Sequence, residues 1–547
     1  MSPARLTLLA TALLIAAPAP AATPARLHQY DDLALAPAGD RVAAVESDVL
    51  PDATSAPHGH IVIRSAKTGA ILRSLDPCAA CKYDGLAFGP DGRLAFLARQ
   101  GSVTRLMVAG AAGAPATLTR IDGIAQMPRW SPDGGRIAVL ATLGARKEAG
   151  ATQAGVRQVG EIGETSDEQR IAVVPASGGA LKPISPADRY VYEYDWTPDG
   201  AGFVLTSAPG NGDNNWWVAT LDRLDARTGA LTRLAAPPVQ MNYPRVSPDG
   251  RTVAFIGGLM SDFGAVGGDI YTVPITGGTP RDITDGVHAT FTSLDWNRSG
   301  LRASALAGSA TQIVPIDPAH GALTPLWSAP ASISAADARF AASADGSRFA
   351  AVAQDFDHAP AILAGPAAAL RPIAHANDAF APLVHAQSIS WQRAGAEVQG
   401  WLLTPLRRQN AAAKMPMIVE VHGGPSSAHT PRFVWDGNRA ALTNAGYALL
   451  LPNPRGSYGQ GEAFTRANIR DFGGGDLADI LAGVDAAEHA APIDDARLGL
   501  IGHSYGGFMA MWANTRTNRF KAIVAGAGLS DWISYYGTNG IDQWMIP

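Results

Sequence analysis

The sequence predicts a β-propeller of about seven blades followed by an α/β domain. Three observations carry that expectation. A turn-and-strand phrase recurs through the first two-thirds of the chain, strand-like and helix-like segments alternate after residue 385, and the composition is that of a packed globular protein. With 547 residues, 47% hydrophobic and 17% charged, the chain is too long for one ordinary core and too apolar for disorder. Its formal net charge of −5 and the lack of a Lys/Arg-rich run argue against nucleic acid or acidic membranes as partners.

Residues 1–22 read as an export signal. Arg5 supplies the positive region, Leu6 to Ala17 the apolar region and Ala19-Pro20-Ala21-Ala22 the small-residue cleavage site. The apolar run is 12 residues, and a membrane span needs about 20, so the expectation is an exported protein, periplasmic or extracellular, with no span after cleavage. Cys78 and Cys81 are the only cysteines. Export makes a local disulfide plausible, with two free thiols as the alternative, and two cysteines alone are too few ligands for a zinc site. No metal and no cofactor are expected.

Residues 23–385 are the expected propeller. Gly89-Pro90-Asp91-Gly92 precedes Leu94-Ala95-Phe96-Leu97, and Trp130-Ser131-Pro132-Asp133-Gly134 precedes Ile137-Ala138-Val139-Leu140. Further copies are Trp196-Thr197-Pro198-Asp199-Gly200, Ser247-Pro248-Asp249-Gly250 and a degenerate Trp296-Asn297-Arg298-Ser299-Gly300, with weaker ones at Pro37-Ala38-Gly39-Asp40 and Ser343-Ala344-Asp345-Gly346. Pro presets one turn torsion, Gly accepts positive φ, and alternation in the following strand sends every second side chain into a core. Successive turn glycines lie 42 to 66 residues apart, a period that suits propeller blades better than leucine-rich or helical repeats. A β-sandwich with similar turns is the competing architecture, and it does not require the recurrence.

Residues 386–547 are the expected α/β domain. Met417 to Val421 and Tyr447 to Leu451 are short apolar runs suited to buried parallel strands. Leu477, Ile480, Leu481 and Val484 recur at helical spacing behind Asp476, which reads as an N-terminal cap. Strand-like Leu498 to Ile501, then Gly502-His503-Ser504-Tyr505-Gly506, then helix-like Gly507 to Trp512 gives the strand, elbow and helix of an α/β-hydrolase. Small residues flank the serine because the turn is too tight for side chains there, and Ser504 falls at a helix N-terminus, where amides stabilise developing negative charge. His422-Gly423-Gly424-Pro425 ends an earlier strand, where this fold keeps its second oxyanion donor, so the expected donors are the backbone N–H groups of Gly424 and Tyr505. His503 is expected to pack beside the elbow rather than to serve as base, and Arg455 to end a strand without a catalytic role.

A propeller ahead of His-Gly-Gly-Pro, Asn453-Pro454-Arg455-Gly456-Ser457-x-Gly459 and Gly-His-Ser-Tyr-Gly-Gly resembles the prolyl oligopeptidase family of serine peptidases over nearly the whole mature chain. His-Gly-Gly-Pro is more similar to its acylaminoacyl-peptidase branch. Dipeptidyl-peptidases typically carry Tyr at the place of His422 and a Glu-Glu pair that holds the substrate amine, and this chain has no Glu-Glu. The resemblance implies an acyl-enzyme on Ser504, short peptides as substrates, a propeller that caps the site, and Trp532 and Tyr535 lining the pocket before the scissile bond. Aromatic packing is the other reading of those two residues. In this fold Ser is followed by Asp or Glu and then His, yet no His follows Ser504, and the acids after it are Asp531 and Asp542. The sequence therefore predicts a hydrolase domain incomplete at its C-terminus and a chain inactive as given, the alternative being a non-catalytic, peptide-binding propeller protein with a degenerate hydrolase segment.

Overall fold

A computed structural model describes residues 25–536, apart from 52, 54–56, 146–167, 211–212, 237–238, 409 and 411–412. The segment read as an export signal and the acid Asp542 lie outside the described residues. No helix among the described residues is long and apolar enough to cross a membrane.

Seven small antiparallel units precede the α/β domain. They span residues 27–75, 82–122, 123–183, 189–235, 240–282, 290–329 and 332–372. The second and third share the strand Ala116–Trp130, which pairs with Val103–Ala109 up to Asp122 and with Arg136–Leu143 from Gly123 onward. Each unit packs face to face on the next: Ile61 and Ile63 of the first meet Leu94 and Phe96 of the second, and Leu97 and Leu106 meet Val139 and Ala172 of the third. The series returns on itself, because Val352 and Ile362 of the seventh pack with Leu33 and Val42 of the first. This is how the blades of a propeller are arranged.

One expectation needs correction. In Thr252–Gly258, Val253 and Phe255 enter one inter-blade core while Ala254 and Ile256 enter the core on the opposite face. A blade lies between two neighbours, so both faces of its inner strands are buried. Runs such as Leu94 to Leu97 are therefore continuously apolar rather than half polar. The turns follow one chemistry. The hydroxyls of Ser131, Thr197, Ser247 and Ser343 each donate to the Asp two residues on, at 2.5–2.6 Å, and that Asp accepts the N–H two residues further at 2.9–3.1 Å. In the degenerate copy Asn297 accepts the Ser299 N–H at 2.9 Å in the same manner.

The α/β domain is built on a six-stranded sheet: β1 (Val384–Arg393), β2 (Ala396–Pro405), β3 (Met415–Val421), β4 (Ala448–Asn453), β5 (Ile493–His503) and β6 (Phe520–Gly526), in the order β1-β2-β4-β3-β5-β6. The first strand thus begins two residues before the expected boundary. β1 and β2 run antiparallel and the remaining strands are parallel. Helices α1 (Gly437–Asn444), α2 (Gly475–Ala490), α3 (Tyr505–Arg516) and α4 (Trp532–Tyr536) accompany it. Leu477, Ile480 and Val484 of α2 and Met509, Ala510 and Ala513 of α3 cover one face, and Ala440 of α1 lies in the core on the other. Asp476 does not cap α2. The N-cap position belongs to Gly474, and Asp476 sits inside the first turn, fully buried.

Candidate functional site

The candidate site lies where β3, β5 and β6 end side by side. Val421 is in register with Gly502, and His503 with Gly526. The chain then turns through Ser504 at φ 58°, ψ −123° and enters α3. A non-glycine residue at positive φ is strained, and its neighbours explain how the strain is held. A Cβ on Gly502 would stand 2.1 Å from the Gly506 carbonyl oxygen, one on Gly506 2.1 Å from the Val421 oxygen, and one on Gly507 2.4 Å from the Gly526 oxygen. Backbone thus crosses backbone on both sides of the elbow, which only glycine permits. The Ser504 N–H donates to Gly526 O (2.9 Å), and its carbonyl accepts from Phe508 N–H (3.0 Å).

The loop leaving β3 approaches from the opposite side. A Cβ on Gly423 would lie 3.2 Å from Ser504 Cβ and 3.7 Å from its Oγ. Gly424 follows at φ 126°, joined to Pro425 by a cis peptide. The propeller reaches this loop, since Ser426 N–H donates to Ser261 Oγ at 2.9 Å and a Cβ on Gly424 would meet the same hydroxyl at 3.3 Å. The structure thus sets Gly423 against Ser504, with Gly424 next along the loop and Tyr505 following the serine into α3, and it adds Ser261, which the sequence reading missed. Gly423 was readable from its motif, whereas nothing local marks Ser261.

The histidines near the elbow are committed elsewhere. His422 Nδ1 lies 2.7 Å from Gly423 O and its Nε2 2.9 Å from Ser457 Oγ. His429 Nε2 lies 2.8 Å from Glu420 O, with the Arg439 guanidinium 3.3 Å from Nδ1. Burial pushes both imidazoles below their ordinary value, and for His429 the nearby His422 and Arg439 add to the shift. His503 is exposed rather than packed, lying over Gly526 at the end of β6. Among the described residues, no side chain makes a hydrogen bond with Ser504 Oγ. A cleft of about 740 Å³ opens beside the elbow, lined by Gln29 and Gln354 of the propeller and by His422, Gly423, Arg439 and His503.

Two buried acids lie on α2, and one of them, Asp476, reaches the elbow. Asp479 is fully buried and takes a two-pronged bond from Arg455, Nε to Oδ2 and a terminal nitrogen to Oδ1, both 2.8 Å, together with the Arg455 N–H at 3.0 Å. Arg455 thus ties the turn after β4 to α2, which agrees with its non-catalytic reading. Asp476 accepts a short hydrogen bond from the Tyr505 hydroxyl and another from Leu477 N–H at 2.8 Å. Trp532 is half-buried, its ring centroid 5.1 Å from Phe472, 5.2 Å from Phe508 and 6.2 Å from Tyr535, so Trp532 and Tyr535 of α4 join an aromatic cluster against α3.

Comparison with known proteins agrees with this geometry. Residues 433–546 match the prolyl oligopeptidase family. An uncharacterized peptidase, YuxL, of Bacillus subtilis is 40% identical over 148 residues, 27% of this chain and 22% of its own. Dipeptidyl-peptidase 5 of Porphyromonas endodontalis is 32% identical over 136 residues, 25% of this chain and 20% of its own. The chain thus covers about a fifth of the length of these relatives. Among solved structures, an acylaminoacyl peptidase in complex with Z-Gly-Gly-Phe-chloromethyl ketone superposes with a TM-score of 0.72 at 18% identity, over 95% of this chain and 80% of its own. A puromycin-hydrolyzing peptidase of Mycobacterium tuberculosis does so with a TM-score of 0.67 at 18% identity and the same coverage. At such identity the likeness concerns the fold.

Proposed function

We propose that this chain, which carries a prolyl oligopeptidase family domain at residues 433–546, is a serine peptidase that cleaves short peptides through an acyl-enzyme on Ser504. The observation that carries this reading is the backbone of Ser504, held at φ 58° by glycines whose replacement would drive backbone into backbone. In the proposed reaction Ser504 Oγ attacks the peptide carbonyl and gives its proton to a base. The N–H groups of Gly424 and Tyr505 hold the oxyanion, the amine leaves with a proton, and water releases the acyl group. In this reading Trp532, whose ring meets Phe472 and Phe508, and Tyr535 beside it border the residue before the scissile bond. The propeller, touching the oxyanion loop through Ser261, limits access to short peptides. The proposal also places the chain outside the cytoplasm, consistent with the reading of residues 1–22 and with the bond between Cys78 and Cys81.

The second reading, a peptide-binding protein without turnover, is favoured by one observation: no described residue stands ready to take the Ser504 proton. A fluorophosphonate probe separates the two, combined with hydrolysis of short chromogenic peptides. Labelling that disappears in Ser504→Ala, with peptide release, supports the peptidase. Peptide binding without labelling supports the second reading, and labelling that survives Ser504→Ala overturns the assignment of the nucleophile.

A further inference from the structure

We propose that His58, His60 and Asp76 form a binding site for a divalent transition ion of the zinc class at the junction of the first two blades. The ligand atoms of the three residues all lie within 4.8 Å of one another. His58 Nε2 is 3.0 Å from Asp76 Oδ1, and His60 Nε2 is 3.6 Å from Asp76 Oδ2. Ligand atoms of a tetrahedral zinc ion with bonds of about 2.0–2.1 Å are separated by roughly 3.3 Å, close to the distance between each imidazole and its nearer Asp76 oxygen. Two imidazoles and a carboxylate with a fourth position open to solvent are a zinc donor set.

The loop at Cys81 orients the His58 ring. Its Nδ1 lies 3.0 Å from the Cys81 carbonyl oxygen, which can only accept, so Nδ1 carries a proton. Its Nε2 is thereby turned toward the Asp76 carboxylate, 3.0 Å from Oδ1. An Nδ1–H held by a backbone carbonyl is also how a metal-binding imidazole is oriented.

The surroundings support the ligands. Asp76 Oδ1 accepts from the Tyr83 hydroxyl at 2.8 Å, and that hydroxyl accepts from Cys78 N–H at 2.7 Å. The bond between Cys78 and Cys81 closes the loop that presents the Cys81 carbonyl and removes both thiols as competing ligands. The guanidinium of Arg105 reaches this loop at Cys81 Sγ, 3.7 Å away.

The test uses the tag-free chain, stripped with chelator and kept non-reduced at pH 8, titrated with Zn(II) against a chromophoric chelator, and with Co(II) followed by visible absorption. The expected result is one equivalent of Zn(II), a tetrahedral Co(II) spectrum and a metal-dependent rise in Tm. Tyr83→Phe is expected to weaken binding about 10-fold, and His60→Ala, whose ring is half exposed, to weaken it further while the metal-free Tm stays unchanged. Absence of stoichiometric binding, or binding that survives both His60→Ala and Asp76→Asn, overturns the site.

Discussion

The propeller turns and the serine elbow solve the same problem in opposite ways. Each carries the chain out of a strand through positive φ. In the propeller the left-handed position is a glycine, such as Gly134 or Gly250, and the polar groups of the turn satisfy one another within five residues. In the elbow the left-handed residue is Ser504 itself, no side chain caps it, and the glycines stand at its sides. The propeller turns are therefore relaxed and repeated, while the elbow is strained and occurs once, held by β3 and β6. At the elbow the strain falls on the residue whose hydroxyl the proposed chemistry needs, whereas the propeller's own non-glycine residues at positive φ, Asp32, Met127 and Tyr243, lie outside its glycine turns.

The strongest way to break this contrast is Gly506→Ala. Its Cβ would stand 2.1 Å from Val421 O and 2.8 Å from Val421 C, both backbone atoms of a buried strand. A loss of about 4 kcal/mol or more is expected, read by chemical denaturation, together with loss of probe labelling at Ser504. Next comes Asp479→Ala, which strands the guanidinium of Arg455, itself only 16% exposed. A cost of about 3 kcal/mol is expected. Because Arg455 only ties the turn after β4 to α2, the variant should label normally wherever it remains folded.

The bond between Tyr505 and Asp476 tests the elbow more gently. Burial pushes Asp476 up to about 6 from an ordinary 3.8, although the Tyr505 hydroxyl and the Leu477 N–H hold it down. Between those values the folded state binds more protons than the unfolded chain, so this group's contribution to stability falls as pH rises from about 4 to 6 and is flat above. Asp476→Asn is expected to flatten that window in a Tm-against-pH profile. Tyr505→Phe removes a group that lowers the acid, so it should extend the window upward and cost about 1–3 kcal/mol. An unchanged profile in both variants would show that burial does not raise Asp476 above its unfolded value.

What the sequence made legible follows the same division. Recurring turns disclose the propeller because each encodes its own geometry within a few residues, and the flanking glycines disclose the elbow for the same reason. Burial of both faces of the inner strands was not legible, since it depends on neighbouring blades 42 to 66 residues away. Asp476 looked like a cap because cap and first turn differ by two residues, and its partner Tyr505 lies 29 residues on. Ser261 and the cluster of His58, His60 and Asp76 escaped for one reason. Each becomes a site only when separate strands bring it to its partners.

The smallest expected effect belongs to the relaxed side of the comparison. Thr197 is buried, donates to Asp199 at 2.6 Å and accepts the Gly202 N–H at 3.0 Å. Thr197→Val keeps the shape but leaves that N–H one partner fewer, for a cost of about 1 kcal/mol. Gly202 N–H has no second acceptor in the turn, whereas Asp199 is largely exposed and can turn to water. If the propeller turns are independent, the equivalent Ser→Ala changes at positions 131 and 247 should add to Thr197→Val within about 0.5 kcal/mol. Greater-than-additive loss, measured by denaturation of the triple variant, would mean that the ring of blades transmits strain between turns, and the contrast with the elbow would narrow accordingly.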